Sequence, residues 1–414
     1  MSKRILLVLG CIAMALSCGS KPDLPEKIIF VGIDAADWDV MRPLLEEGKL
    51  PHFAKLLAQG ATGRIETFIP LRKSPVLWTS IATSKLPDEH GIGGYIASTP
   101  SGEAVPYTGN TRRVKAIWNI LSERGYKVAI VGWMVTWPAE EVNGYLVSDY
   151  IQYETEKKIK LERQTYPDSL FEEIDRLRVT KNDVTDEDIA SIFPVDLDLE
   201  RAGIAPWQKD YVKMIWATDE TYRRIALYLN EKGVDFLAVY LNGIDSMGHA
   251  FWDYRKKEGH PLQHVIDNYY VWIDGVLGEF MDLVDDRTLL ITCSDHGFHG
   301  PRRASDGSLL VGVYMHGRYG IVGLMGKGVK PGSRIVGAGI LDITPTVLYA
   351  FGLPVARDMK GKVLTDAFEP DYLEAHPVTY IETYETGERV AGKPIKSPVD
   401  EKIKERLKAL GYIQ

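Results

Sequence analysis

Cysteine is almost missing from this sequence. Of 414 residues only Cys11, Cys18 and Cys293 carry a thiol. The first two fall in the N-terminal segment, so no disulfide framework can brace the rest of the chain. Cys293 closes the apolar run TLLITC, where a lone thiol behaves as a small hydrophobe. An apolar run long enough to cross a bilayer is missing too: ILLVLGCIAMAL, Ile5–Leu16, is too short. There is no surplus of positive charge. The formal net charge of −8 excludes a surface-charge grip on a nucleic-acid polymer. It leaves nucleotide-sized substrates open, because a metal site reverses the local field. Internal repeats and low-complexity tracts are also absent. What is present is apolar material, 45 % hydrophobic residues with nine Trp. That suffices for one large core, or for one core with a smaller inserted domain.

The N-terminus reads as a targeting segment. Lys3 and Arg4 precede the apolar Ile5–Leu16, which ends in ALSC with Cys18 followed by Gly19 and Ser20. Small residues before a cysteine are similar to a bacterial lipoprotein cleavage box, although Ala15 stands where Leu is usual. The expectation is a signal peptide over residues 1–18, export to the periplasm or cell surface, and a lipid anchor on Cys18 as the only membrane attachment. An ordinary secretory signal is the alternative.

Beyond it, short β-rich runs alternate with helical patterns. KIIFVGI (Lys27–Ile33), KVAIVGW (Lys127–Trp133), DFLAVYL (Asp235–Leu241), RTLLITC (Arg287–Cys293) and GIVGLMG (Gly320–Gly326) are apolar runs bounded by amphipathic stretches. The pattern predicts an α/β fold with a mostly parallel central sheet covered by helices on both faces. Residues 150–215 are highly charged and lack a buried-strand run. They are expected to form an inserted, mainly helical cap between catalytic-domain segments 26–149 and 216–414. The tail EKIKERLKALGYIQ reads as a short amphipathic helix ended by Gly411.

In such a sheet, ligand residues gather past the carboxyl ends of the strands. Asp34 follows the first run, Asp245 and His249 follow DFLAVYL, and Asp295 and His296 follow TLLITC; His316 lies between two further β-like pieces. Each has a bland reading: Asp34 as a helix cap, Asp245 and His249 as a helix-surface pair, His316 as a loop residue. Together they make an oxygen-and-imidazole donor set suited to zinc or a similar transition ion rather than calcium or magnesium. Three carboxylates and two divalent ions would leave a slightly positive centre that attracts a phosphate ester. Ser74, in KSPVLWTSIATSKLPDEHGI, reads as an N-cap with Pro75 at the first helical position; the same place at a helix N-terminus suits a nucleophile.

The pieces VGIDA, SPVLWTSIATSKLPDEHGI, DSMGH, TCSDHGF, MHGRYGIVGLMGKGVKPG and ILDITPTVLYAFGLPVARDMKGKVL, in this order, resemble the alkaline phosphatase superfamily. Within it they resemble the type I phosphodiesterase/nucleotide pyrophosphatase family. The resemblance implies an alkaline phosphatase-like fold and two divalent ions, zinc by the donor types. One ion would be held by Asp34, Asp295, His296 and the Ser74 oxygen, the other by Asp245, His249 and His316. Ser74 would be the nucleophile and form a phosphoserine-type intermediate in the hydrolysis of a small phosphodiester or nucleotide-like substrate. A phosphomonoesterase or phosphonate hydrolase on the same site is the alternative, and an inactive metal- or phosphate-binding lipoprotein a weaker one. Two positions depart from the family pattern. Tyr95 stands where an Asn usually donates to the phosphoryl oxygen, and Lys73, beside the nucleophile, is offered as a positive substitute. Ser84 replaces a usual Gly, a change assigned to the helix surface. The sulfatase pattern C/S-x-P-x-R is not met by SPVLW. Trp78, Trp133 and Trp137 are candidates for a ligand pocket or, alternatively, for core packing. Nothing in the sequence fixes an oligomeric state.

Overall fold

The computed structural model describes residues 23–153, 161–303, 308–387, 391–409 and 411–413. The expected signal segment and Cys18 lie outside the described residues. Nine strands form the central sheet: β1 (Lys27–Ile33), β2 (Ala61–Glu66), β3 (Val128–Val131), β4 (Gly144–Val147), β5 (Thr165–Tyr166), β6 (Phe236–Leu241), β7 (Thr288–Cys293), β8 (Tyr319–Gly326) and β9 (Ser333–Gly339), in the spatial order β9-β2-β8-β7-β1-β6-β3-β4-β5. Only β5 and β8 run against the rest, so the sheet is mostly parallel. Helices cover both faces. Trp38–Glu46, Pro51–Gln59, Pro206–Asn230, Gly243–Arg255 and Val265–Met281 lie on one side, and Ser74–Thr83, Ile117–Glu123 and Ile343–Ala350 on the other. This double cover explains why β1, β6 and β7 read as unbroken apolar runs: nearly every residue in them is buried. Among the described residues no helix is long and apolar enough to cross a membrane.

Register places the site. β1 pairs in parallel with β6 (Ile33↔Leu241) and with β7 (Gly32↔Cys293). Asp34, Asn242 and Ser294 therefore leave three adjacent strands at one edge of the sheet. Gly32 is required there, because a Cβ would stand 2.7 Å from the Trp78 ring. Its absence lets the Trp78 ring approach β1 closely, two residues before Asp34.

Residues 150–215, expected as an inserted cap, contain the short helices Phe171–Asp175 and Asp186–Ile189 and the first part of Pro206–Asn230. They also supply β5, which pairs with β4 through Leu146↔Tyr166. Ile174, Ile189 and Phe193 are buried in the same apolar cluster as the sheet. Residues 154–160 of this segment lie outside the described residues. Trp78 and Trp133 are core residues, packed edge to face with centroids 5.1 Å apart. Trp137 stacks on Tyr150 at 4.7 Å. All three indoles thus take the packing role.

Candidate active site

Ser74 is the first residue of the helix Ser74–Thr83, whose ten residues are all buried. The expected cap role is corrected: Lys73 occupies the N-cap position, and no side chain caps this helix. Both Val76 and Leu77 turn their N–H groups to the Lys73 carbonyl (2.9 and 3.4 Å). The Ser74 hydroxyl is left for the site, 3.5 Å from His296 Nε2. At the other end of this helix the assignment of Ser84 is also corrected. It lies buried rather than on the helix surface, at the C-cap with φ 52°. That left-handed conformation is the reason glycine suits the position. The Ser84 hydroxyl offsets the strain by donating to Leu341 O and accepting from Gly361 N.

Asp34 does not cap the following helix; Asp37 does, accepting from Asp39 N at 2.8 Å. Asp34 is instead held inside the protein by two donors to one oxygen, Trp78 Nε1 (3.0 Å) and Tyr240 Oη (2.6 Å) on Oδ2. Its Oδ1 faces His296 Nε2 at 3.3 Å, and Asp295 Oδ2 faces the same nitrogen at 3.5 Å. His296 Nδ1 lies 2.9 Å from Gly297 O. That carbonyl takes the ring's hydrogen and leaves the Nε2 lone pair turned towards the carboxylates and Ser74. The turn is pinned by Ser294, whose hydroxyl donates to Ala36 O and accepts from Ile321 N.

Asp245 and His249 share one face of the helix Gly243–Arg255, four residues apart. They are not a surface pair, since their side chains are 8 % and 2 % exposed. The start of this helix is set by Asp219, which accepts from Asn242 N, Gly243 N and Tyr269 Oη. His316 arrives by a short antiparallel pairing, Phe298↔His316. Its ring stacks on His296 with centroids 3.6 Å apart. His249 Nε2 and His316 Nε2 stand 3.2 Å apart, and Asp245 Oδ1 lies 3.3 and 3.5 Å from them. Donor atoms of Asp245, His249 and His316 converge, as do those of Asp34, Asp245 and His296. Asp245 thus sits between the two sets.

The electrostatics are those of buried carboxylates and imidazoles packed against one another. Burial pushes Asp34 up, helped by the Asp245 charge, and pushes Asp295 up, helped by Asp34. Burial also pushes Asp245 up, but the imidazoles of His249 and His316 outweigh it and hold it well below the usual carboxylate range. Burial and the neighbouring His296 lower His316. Asp34 Oδ1, Asp295 Oδ2 and Asp245 Oδ1 are buried with no hydrogen-bond partner, and these are the oxygens that face the ring nitrogens. Orphaned carboxylate oxygens opposite imidazole lone pairs fit divalent cations of the zinc type.

Several residues enter that the sequence did not single out. Tyr412, from the C-terminal segment, reaches all three residues of the second set: His249 Nε2 (2.7 Å), His316 Nε2 (2.9 Å) and Asp245 Oδ2 (3.0 Å). Lys73 does not face the nucleophile, because its ammonium donates to the Tyr412 carbonyl at 2.8 Å. Tyr95 packs on the Tyr412 ring at 4.7 Å, and its hydroxyl lies beside Ser74. A cavity of about 110 Å³ opens from Pro75, Tyr95, Asp245 and Tyr412 towards Arg406. His90 is structural: buried, bonded to Ser80 Oγ and Ile92 N, and lowered by burial to about 3.

A family model described as type I phosphodiesterase / nucleotide pyrophosphatase matches residues 28–304. Among curated proteins, GPI ethanolamine phosphate transferase 3 of Schizosaccharomyces pombe (strain 972 / ATCC 24843) is 26 % identical over 146 residues, or 34 % of this chain and 14 % of that protein. The match therefore spans a small part of that relative's length. Among solved structures, wild-type alkaline phosphatase PafA superposes with a TM-score of 0.56 at 13 % identity, over 84 % of this chain and 99 % of that one. That is a likeness of fold. Murine ectonucleotide pyrophosphatase/phosphodiesterase 5, in complex with AMP, gives a TM-score of 0.46 at 11 % identity, over 79 % of this chain and 95 % of that one.

Proposed function

The chain belongs to the type I phosphodiesterase/nucleotide pyrophosphatase family, and from that premise we propose that it is a metal-dependent phosphodiesterase acting through Ser74 on small diester or nucleotide-like substrates. One observation carries the reading. A buried serine at the first position of a helix stands 3.5 Å from His296 Nε2, and the same nitrogen faces two orphaned carboxylates. Asp34, Asp295 and His296, with Ser74 Oγ, would hold one divalent ion; Asp245, His249 and His316 would hold the other. Zinc suits these donors. When bound, such ions supply Lewis acidity and favour the alkoxide of a serine beside them.

The chain's own residues then divide the work. Ser74 Oγ would attack phosphorus in line, its proton passing by way of solvent to the departing oxygen. The bond from phosphorus to the leaving oxygen breaks on the side of Asp245, His249 and His316. A water attacking the phosphoserine from that same side would give its hydroxyl to phosphorus and its other proton to Ser74 Oγ, releasing product. The helix dipole behind Ser74 favours the developing negative charge. The Tyr95 hydroxyl, beside Ser74, is placed to donate to a phosphoryl oxygen, as a phenol can. We extend the proposal to location on sequence grounds alone: export, with attachment by a lipid on Cys18.

The test uses the mature chain from Gly19 onward, purified without chelator. About two zinc per chain are expected, with chelator-sensitive turnover of a nitrophenyl phosphodiester above that of the monoester and the sulfate. Monoester preference would keep the site and change the substrate class. Two metals without turnover of any ester would favour a binding protein, and a chain without metal would remove the reading altogether.

A further inference from the structure

The helix Asp400–Ala409 packs Ile403 and Leu407 into a small apolar cluster with Trp137, Tyr150 and Tyr412. One side chain on this helix does not fit a packing role. Arg406 sends its guanidinium inward to the cavity that begins at Asp245 and Tyr412. Its Nη1 donates to Gln152 Oε1 at 2.7 Å. The phenol of Tyr153 lies within hydrogen-bonding reach of the guanidinium, while Nη2 is buried with no hydrogen-bond partner. Among the described residues no carboxylate comes within ion-pair distance of it. Three acids stand nearby, and each is already engaged. Asp149 accepts from Val135 N, Thr136 N and Trp137 N. Asp219 accepts from Asn242 N, Gly243 N and Tyr269 Oη. Asp245 accepts from Tyr412 Oη on Oδ2 and turns Oδ1 to the two imidazoles, away from Arg406.

A buried cation with an unmet donor is costly unless a partner completes it. A guanidinium is shaped to receive a carboxylate or a phosphate on two donors. The cavity, about 110 Å³, has room for such a group, since a single water needs roughly 10–15 Å³ of the same measure. We propose that Arg406 is a substrate-binding residue, and that the natural substrate carries a second anionic group, phosphate or carboxylate, besides the phosphorus attacked by Ser74. The inference rests on the phosphodiesterase reading and narrows its substrate class. Gln152 is the positioning residue that aims the guanidinium.

The test measures binding by calorimetry to the zinc-loaded chain carrying Ser74→Ala, so that nothing turns over. The probes are methyl phosphate, with one anionic group, phosphoglycolate, which adds a carboxylate, and methylenebisphosphonate, which adds a phosphonate. The two-anion probes should bind about 10–100-fold tighter than methyl phosphate, the worth of one or two charge-assisted hydrogen bonds. A larger gain for phosphoglycolate or for the bisphosphonate tells which anion the subsite prefers. Arg406→Gln should erase the gain and leave methyl phosphate binding unchanged, and Arg406→Lys should restore part of it. Equal binding of all three probes to the Arg406 protein overturns the subsite while leaving the hydrolase reading intact, and does so whether or not the Arg406 variants fold. A gain that survives Arg406→Gln overturns it as well. Failure of methyl phosphate itself to bind removes both readings.

Discussion

The two donor sets differ in how they are built. Asp34, Asp295 and His296 stand on the ends of β1 and β7, in the middle of the sheet. Their orientation comes from core groups: Trp78 and Tyr240 on Asp34, and Gly297 O on His296. Asp245, His249 and His316 come from a helix and a two-residue strand. The Nδ1 atoms of both histidines are buried without partners, and the face of the set is covered by Tyr412. A nucleophile must be held still, and the first set is rigid by construction. In the proposed mechanism the second set lies where a leaving group comes and goes. Its cover belongs to a chain end rather than to the core.

The largest effect lies on the rigid side. Ser74→Ala should retain the metal content and lower turnover by about 10³-fold or more, as loss of a nucleophile does in comparable sites. Near-normal activity in that variant would erase the distinction between the two sets, because among the described residues no other hydroxyl meets His296 Nε2. On the other side, His316→Ala should remove one equivalent of zinc and keep the other, since each ion needs three or four protein donors. Metal analysis of the purified variant checks this. Loss of both equivalents would mean that the sets act as one centre through Asp245 and the stacked imidazoles.

The same atom can then be deleted on each side. Tyr240→Phe removes one of the two donors that fix Asp34, and zinc affinity at the first set should fall about 10–100-fold, the usual worth of a supporting hydrogen bond behind a ligand. Tyr412→Phe keeps the ring on Tyr95 but removes the hydroxyl that covers the second set. Methyl phosphate affinity should then rise about tenfold, the value of one hydrogen bond to a charged group. Competition with a chromophoric chelator and phosphate calorimetry give the two numbers. Opposite signs sustain the comparison. A fall in both would make Tyr412 a support of the second set, as Tyr240 is of the first.

Much of this was legible before the fold was known, and the reason is local. Strands buried on both faces leave continuous apolar runs. Lys27–Ile33, Phe236–Leu241 and Thr288–Cys293 coincide with the runs read from the sequence to within a residue. The acids and imidazoles that follow such runs are visible for the same reason. Ala61–Glu66 and Ser333–Gly339 were not legible, since ATGRIE and SRIVGAG carry charges, glycines and exposed positions. Tyr240 and Trp78 look like core residues in sequence, and only the register of β1 with β6 and the missing Cβ of Gly32 bring them to Asp34. Tyr412 and Arg406 were hidden more deeply. The tail shows a helical period through Ile403 and Leu407, but a period does not say which surface the helix will cover. That depends on contacts across the whole length of the chain.

The smallest effect concerns how the second set is seated. Asp219 holds the start of the helix that carries Asp245 and His249, where Gly243 is obligatory because a Cβ would meet the Tyr269 hydroxyl at 2.1 Å. Burial raises the Asp219 carboxyl to about 7, against the pull of its three hydrogen-bond donors. The folded chain therefore keeps a proton that the unfolded chain releases near the ordinary carboxylate value of about 3.9. The contribution to stability is whole below that value and is lost as pH rises to about 7, after which it no longer changes. In the metal-free protein, the urea midpoint should fall over this range, and Asp219→Asn should shrink the fall, even if the amide lowers stability at every pH. The first set has a counterpart in Asp37, which accepts from Phe298 N behind His296 and is also raised by burial, so Asp219→Asn should shrink the fall without abolishing it. An unchanged pH slope in Asp219→Asn would mean that the proton on Asp219 plays no part in seating the second set, and that its tyrosine cover is what separates it from the first.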